Sequence, residues 1–152
     1  MIQKSAQITQ SLAMFGMIDA DNYAAATYTS DYGDASVVDR FVATIAVGDM
    51  AATATVDAKL VQATDSSGTG KKDITGAAIT QLTQAGSDDN KQAKIEVRSE
   101  QLDINNGFDH VAVEVTVAAA AVDLAAWLEG LVYSTPASSV DLASVAEIVV
   151  TP

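Results

Sequence analysis

The chain has no cysteine, which excludes a disulfide framework, a thiol nucleophile and any cysteine-based zinc site. It has a single histidine, His110, so an ordinary zinc or copper site would lack its usual ligands. Prolines number two and aromatics make up 5% of the chain, too few for the aromatic lining of a typical sugar-processing cleft. Basic residues are also scarce. Eight Lys and Arg stand against 20 Asp and Glu, a formal charge of -12. A field of that sign repels phosphate backbones and anionic membrane surfaces, so neither nucleic acid nor membrane is expected as a partner. No apolar run approaches the ~18 residues of a membrane span. Leu12–Ile18 (LAMFGMI) is short and is preceded by Gln7, Thr9, Gln10 and Ser11, so it reads as a packing segment rather than a signal sequence.

The length of 152 residues points to one domain. Surface scaling gives roughly 7,000 Å² for the folded chain against roughly 23,000 Å² unfolded, enough burial for one real core. Alanine, valine and threonine dominate what remains. Residues 1–35 stand apart in texture: polar, Ala-rich, aromatic and without a clean period. They read as an irregular N-terminal arm, with residues 36–152 as the folded domain. On that division, deleting residues 1–30 leaves a folded body.

From residue 37 a period of two appears, as expected where successive side chains point to opposite faces of a sheet. Phe41, Ala43, Ile45 and Val47 share one face of Arg40–Val47. Ala54, Val56, Ala58 and Leu60 share one face of Ala54–Gln62, opposite Thr55, Asp57 and Lys59. Ala93, Ile95 and Val97 alternate with Lys94, Glu96 and Arg98. Val111, Val113, Val115 and Val117 form the most regular face. Ile74–Leu82 alternates less cleanly, and Val145–Val150 reads as a last strand. Residues 118–130 read either as a short helix or as a loop leading to a strand at Leu131–Tyr133. Asp65–Lys72 and Gly86–Asn90 read as loops, and Asp103–Gly107 (DINNG) carries the Asn-Gly signal of a hairpin turn. Six to eight strands with turns every 10–15 residues predict an all-β fold, an antiparallel β-sandwich of jelly-roll type.

Few groupings suggest chemistry. His110 precedes the strand that starts at Val111 and reads as a solvated strand-edge residue rather than a catalytic base. Ser66–Lys72 (SSGTGKK) has the Gly70-Lys71 pair of a phosphate-binding loop, but Asp65 replaces the first glycine and Lys72 the metal-binding hydroxyl. Acidic clusters at Asp19–Asn22, Asp31–Asp34, Asp88–Asn90 and Asp103–Asn106 do not match the calcium-loop template. No catalytic residue, cofactor or resident metal is expected, and the chain is read as a non-enzyme. The candidates for binding a partner are the N-terminal group Met14, Phe15, Met17, Tyr23, Tyr28 and Tyr32, together with Ser67, Thr69 and Lys71 of the loop. Tyr and Met are enriched at interfaces.

The stretch from Tyr28 to Val117 resembles small virion proteins encoded in the structural-gene regions of tailed bacteriophages. Its most specific pieces are ATVDAKLVQATDSSGTGKKDI, residues 54–74, and EVRSEQLDINNGF, residues 96–108. The resemblance implies a head-associated decoration, or cement, protein with a jelly-roll-like sandwich. Made in the host bacterial cytoplasm, it would be carried in the virion. Its partners would be the major capsid protein or other virion proteins, together with its own copies in a symmetric homo-oligomer such as a trimer. A tail component and a carbohydrate- or host-surface-binding module are the alternatives.

Overall fold

The computed structural model describes residues 7–133 and 136–150. Ten strands run in order: β1 Leu12–Tyr23, β2 Ala26–Thr29, β3 Gly33–Asp34, β4 Val38–Met50, β5 Thr55–Ala63, β6 Lys72–Ala78, β7 Leu82–Thr83, β8 Gln92–Arg98, β9 His110–Ala118 and β10 Val122–Val132. Two antiparallel sheets result. The first has the order β1-β10-β4-β8. The second has the order β2-β9-β5-β6, with β3 beside β9 and β7 beside β5.

That order has a simple logic. Leave aside the two-residue strands β3 and β7, and eight main strands remain. The first pairs with the last (β1 with β10), the second with the seventh (β2 with β9), the third with the sixth (β4 with β8) and the fourth with the fifth (β5 with β6). The chain is one long antiparallel ribbon rolled up on itself, and the rolling adds the β10–β4 and β5–β9 ladders. This is the jelly-roll sandwich that the spacing of strands predicted.

The inner faces hold the core. Phe41, Ala43, Ile45 and Val47 of β4 face Val56, Ala58 and Leu60 of β5 and Val111, Val113, Val115 and Val117 of β9, all buried. The rings of Phe15 and Phe41 meet edge to face at 5.6 Å. Two glycines make room for Phe15. A Cβ on Gly130 would lie 2.6 Å from the Phe15 ring, and one on Gly33 would lie 2.8 Å from its Cβ.

Five expectations are corrected. Residues 12–34 are not an irregular arm, because β1 pairs with β10 over most of its length and buries Ala13, Phe15 and Ile18. Register shifts between Met14 and Gly16 and between Ile18 and Asp21 interrupt its alternation. Such bulges invert which face each later residue takes, which hides the period. Residues 1–6 of the expected arm lie outside the described residues. Residues 122–132 form strand β10 rather than a helix, with Val122, Leu124, Ala126, Leu128, Gly130 and Val132 turned inward. DINNG turns through Ile104–Asn106 with Gly107 at φ 82°, but it joins β8 to β9, which lie in different sheets. It is therefore not a hairpin. Val145–Val150 belongs to no sheet, and Ile148, Val149 and Val150 are exposed. Ile74–Leu82 is split into β6 and β7 by an irregular link.

Two outcomes test this packing. Gly130→Ala is expected to cost about 1–3 kcal/mol, the usual scale for overfilling a tight core, read as a lowered unfolding midpoint. An unchanged midpoint would mean that Phe15 has room to shift. Deleting residues 1–30 removes β1 and Phe15, so the truncated chain should show no cooperative unfolding transition; a sharp transition would restore the arm reading.

Candidate interaction surfaces

A rolled ribbon sorts its loops into two groups. One end of the sandwich gathers residues 30–37, 64–71 and 99–109. Ala35 N–H donates to the Asp109 carbonyl at 2.8 Å, the Lys72 ammonium pairs with Asp103 and stands 3.7 Å over the Phe108 ring, and Gly68 abuts the Tyr32 ring. The other end gathers the remaining connections. There Ala51 N–H donates to the Ala121 carbonyl at 3.0 Å, and Asn22 donates to Asp123 at 2.6 Å.

The candidate residues are divided by this sorting. Phe15 lies in the core. Met14 and Met17 lie on the outer face of the first sheet, across from Glu129 and Trp127. Tyr23 and Tyr28 pack edge to face at 4.5 Å at the far end, each hydroxyl donating to a backbone carbonyl four residues away. Tyr32, Ser67 and Lys71 come together at the first end. With Thr29, Ser30 and Asp31 they line a groove of ≈ 400 Å³. Thr69 takes a different task. Its N–H donates to Asp65 at 3.1 Å and its carbonyl accepts from Thr64, which closes the loop. A hydrogen bond from the Thr69 side chain, joined by the backbone N–H groups of Thr69 and Ser67, holds the Asp65 carboxyl below its ordinary value.

The outer face of the second sheet carries the residue that sequence reasoning missed. Glu114 is buried although it stands on the solvent side of β9. Its carboxylate pairs with Lys71, lies 3.4 Å from Lys59 and accepts from the Thr29 hydroxyl at 3.3 Å. Lys59 also reaches Asp73 at 2.8 Å. Burial pushes the Glu114 carboxyl up, but the hydrogen bonds and charges of Lys71 and Lys59 outweigh it and hold it below its ordinary value. Lys71 is raised by its hydrogen bond to Glu114. Lys71 therefore serves the loop as an anchor onto the sheet. The available signal was that Lys59 and Glu114 both occupy polar alternates of neighbouring strands, but the strand pairing that sets them opposite each other is not visible in sequence.

The outer face of the first sheet is apolar by comparison. Three cross-strand rows can be followed: Met17–Trp127–Thr44–Lys94, Met14–Glu129–Val42–Glu96 and Leu12–Leu131–Arg40–Arg98. Polar and basic character rises towards β8, the edge strand. Large exposed apolar residues elsewhere include Ile8 (64%), Tyr133 (66%) and Val149 (76%). Among the described residues no group of three or more His, Cys, Asp or Glu is placed to hold a metal ion. His110 Nδ1 sits 2.7 Å from Asp109, at the start of β9. No helix among the described residues is long and apolar enough to cross a membrane.

No protein-family model matches the chain, and no curated protein matches it. Two solved structures are similar to the chain at a low level. One is a structure of infectious bursal disease virus, Gt strain, at 8% identity and TM-score 0.45, matched over 84% of this chain and 34% of that one. The chain thus spans about a third of that protein's length. The other comes from disulfide-linked pili, the endospore appendages of Bacillus, at 16% identity and TM-score 0.31, over 86% and 99% of the two chains. Likeness at this level says nothing of function.

The Glu114 cluster makes a prediction with a definite sign. A carboxyl held below its ordinary value contributes stability that is full above that value, 4.5, and fades as pH falls through the lowered one. Glu114→Gln should lower stability near neutrality by about 1 kcal/mol, a modest figure because both lysines remain partly solvated. The difference between the two proteins should shrink on acidification. A gap that stays constant with pH would show that the charge is not what matters.

Proposed function

We propose that this protein acts by binding rather than by catalysis, as a structural component of a virion that docks on the capsid shell and stabilises it. The observation that carries this reading is the composition of one end of the sandwich. Exposed Ile8 and Tyr133 stand at the same end as the groove of Tyr32, Ser67 and Lys71. Tyr133 is tied there through its hydroxyl, which donates to the Ser36 carbonyl at 2.9 Å, and through its N–H to Val37. An apolar rim beside a polar groove, on loops held by a rigid sandwich, is suited to a protein surface. The resemblance of residues 28–117 to head-associated phage proteins supports the address. Many copies on one shell would add modest contacts into firm binding. A ligand that binds the assembled shell alone would also shift the equilibrium towards that shell.

A carbohydrate is the second reading. The groove presents the hydroxyls of Ser66 and Ser67, the Asp31 carboxylate and the Tyr32 ring, groups that suit a sugar, whereas the Thr29 and Ser30 hydroxyls are bonded inward, to Glu114 and to the Asp31 carbonyl. Trp127 does not contribute, because it lies half-buried on the outer face of the first sheet.

Cosedimentation with phage shells that lack the protein separates these readings. Saturable binding at a fixed copy number is expected, weakened at least tenfold by Tyr133→Ser combined with Ile8→Ser. Unchanged binding by the double variant would remove this end from the interface. No binding to shells, with retention on a glycan array lost in Tyr32→Ala, would move the function to surface recognition.

A further inference from the structure

The C-terminal segment is unusual because it is apolar, β-branched and unpaired. Its root is fixed: Met14 N–H donates to the Asp141 carboxylate at 2.7 Å, and Leu142 N–H donates to the Met14 carbonyl at 2.9 Å. Beyond it, Glu147, Ile148, Val149 and Val150 are all exposed and belong to no sheet. Three consecutive exposed β-branched residues are the composition of a strand that lacks its neighbour.

The molecule also has a free sheet edge with matching chemistry. β8 ends the first sheet, with β4 on one side and, among the described residues, no strand on the other. Its Ile95 and Val97 point to the core, while Lys94, Glu96 and Arg98 point outward. Arg98 lies directly opposite Arg40. Each has a carboxylate partner, Glu100 at 3.2 Å for Arg98 and Asp39 at 3.0 Å and Glu96 at 3.2 Å for Arg40, and both guanidiniums stay partly exposed, within reach of a further carboxylate. We propose that the segment Glu147–Val150 pairs as an added strand with the β8 edge of a second copy of this chain. An antiparallel register with Glu147 opposite Arg98 satisfies every position. Ile148 then falls opposite Val97, Val149 opposite Glu96 and Val150 opposite Ile95. The carboxylate of Glu147 extends the row that holds Arg98 and Arg40, and Ile148 and Val150 extend the core face. Backbone hydrogen bonding supplies affinity in such strand addition, and the alternating side chains supply selectivity.

The occupant must come from another copy. The segment is rooted outside β1, and β8 is three strands further across the same sheet. From the slot beside β1 to the slot beside β8 is five strand spacings, about 24 Å. The five residues from Leu142 to Glu147 reach at most about 18 Å when fully extended. Donor and acceptor sit on opposite edges of one sheet, so the contact is heterologous. It closes into a ring or runs on as a filament, according to the rotation between copies. This association is independent of any docking on a shell.

The absence of cysteine makes the test clean. Mass in solution by light scattering should show an oligomer for the full chain and a monomer for Val149→Asp, an exposed position whose change leaves the core untouched. Val149→Cys and Glu96→Cys, each made alone and then mixed under oxidising conditions, should give a disulfide-linked heterodimer in preference to either homodimer. Glu147→Arg and Arg98→Glu should each weaken association at least tenfold and restore it when combined. A monomer at all concentrations, an oligomer indifferent to Val149→Asp, or a mixture that gives no cross-linked heterodimer would each overturn the proposal.

Discussion

The seat of Phe15 is the constraint on which the roll depends. Its ring meets Phe41 edge to face, with Gly130 beneath it and Gly33 against its Cβ. Those four residues come from β1, β4, β10 and β3, so one contact joins the first strand, the last strand and both sheets. The β1–β10 ladder brings Leu12 beside Leu131, across nearly the whole chain. Closure over such a distance costs chain entropy before any contact is gained, though the cost grows only slowly with length. A large aromatic group that cannot be seated until both glycines are in place offsets that cost when the roll closes. It also ties that stabilisation to the correct winding.

The same winding decides what can become a site. Because alternate connections of a rolled ribbon go to alternate ends, Tyr32, Lys71, Asp103 and Phe108 become neighbours though far apart in sequence. The two outer faces also acquire opposite characters. The second sheet presents the ion pairs of Glu114, Lys59, Lys71 and Asp73. The first presents Met14, Met17, Trp127 and Leu131, turning basic towards β8. Such a protein offers different chemistry in different directions.

The legible parts of this fold were those where alternation is uninterrupted. β4, β5, β8 and β9 stand close to where their apolar faces put them, because a half-buried strand writes a period of two directly into the chain. β1 was hidden by two bulges, and β10 by alanines, which satisfy an inward position and a helix equally well. The turn at Asn106-Gly107 was legible as local conformation, but a turn does not say which strands pair. The loop that holds Ser67 and Lys71 was legible from its composition, whereas the burial of Glu114 was not. A glutamate on the polar alternates of a strand is ordinarily solvated, and only the fold brings Lys71 and Thr29 over it.

Charge sets the terms on which such surfaces meet. At -12, two copies repel each other at long range, and acidic groups crowd the end that holds Asp19, Asp21, Asp49 and Asp123. The basic residues are not scattered through this field. Lys59, Lys71 and Lys72 pair with Asp73, Glu114 and Asp103, while Arg40, Lys91, Lys94 and Arg98 line the β8 side of the first sheet, where Arg40 pairs with Asp39 and Glu96, Lys91 with Asp88 and Arg98 with Glu100. At physiological salt the Debye length is about 8 Å, so the net repulsion between whole molecules is largely screened while pairs in contact are not. A carboxylate in register with Arg98 therefore meets a charge of opposite sign at contact distance, while one placed out of register meets Glu96 or Glu100. The charges that would otherwise mark β8 as a blunted edge, closed to indiscriminate pairing, make it selective for a strand carrying a carboxylate at the right place.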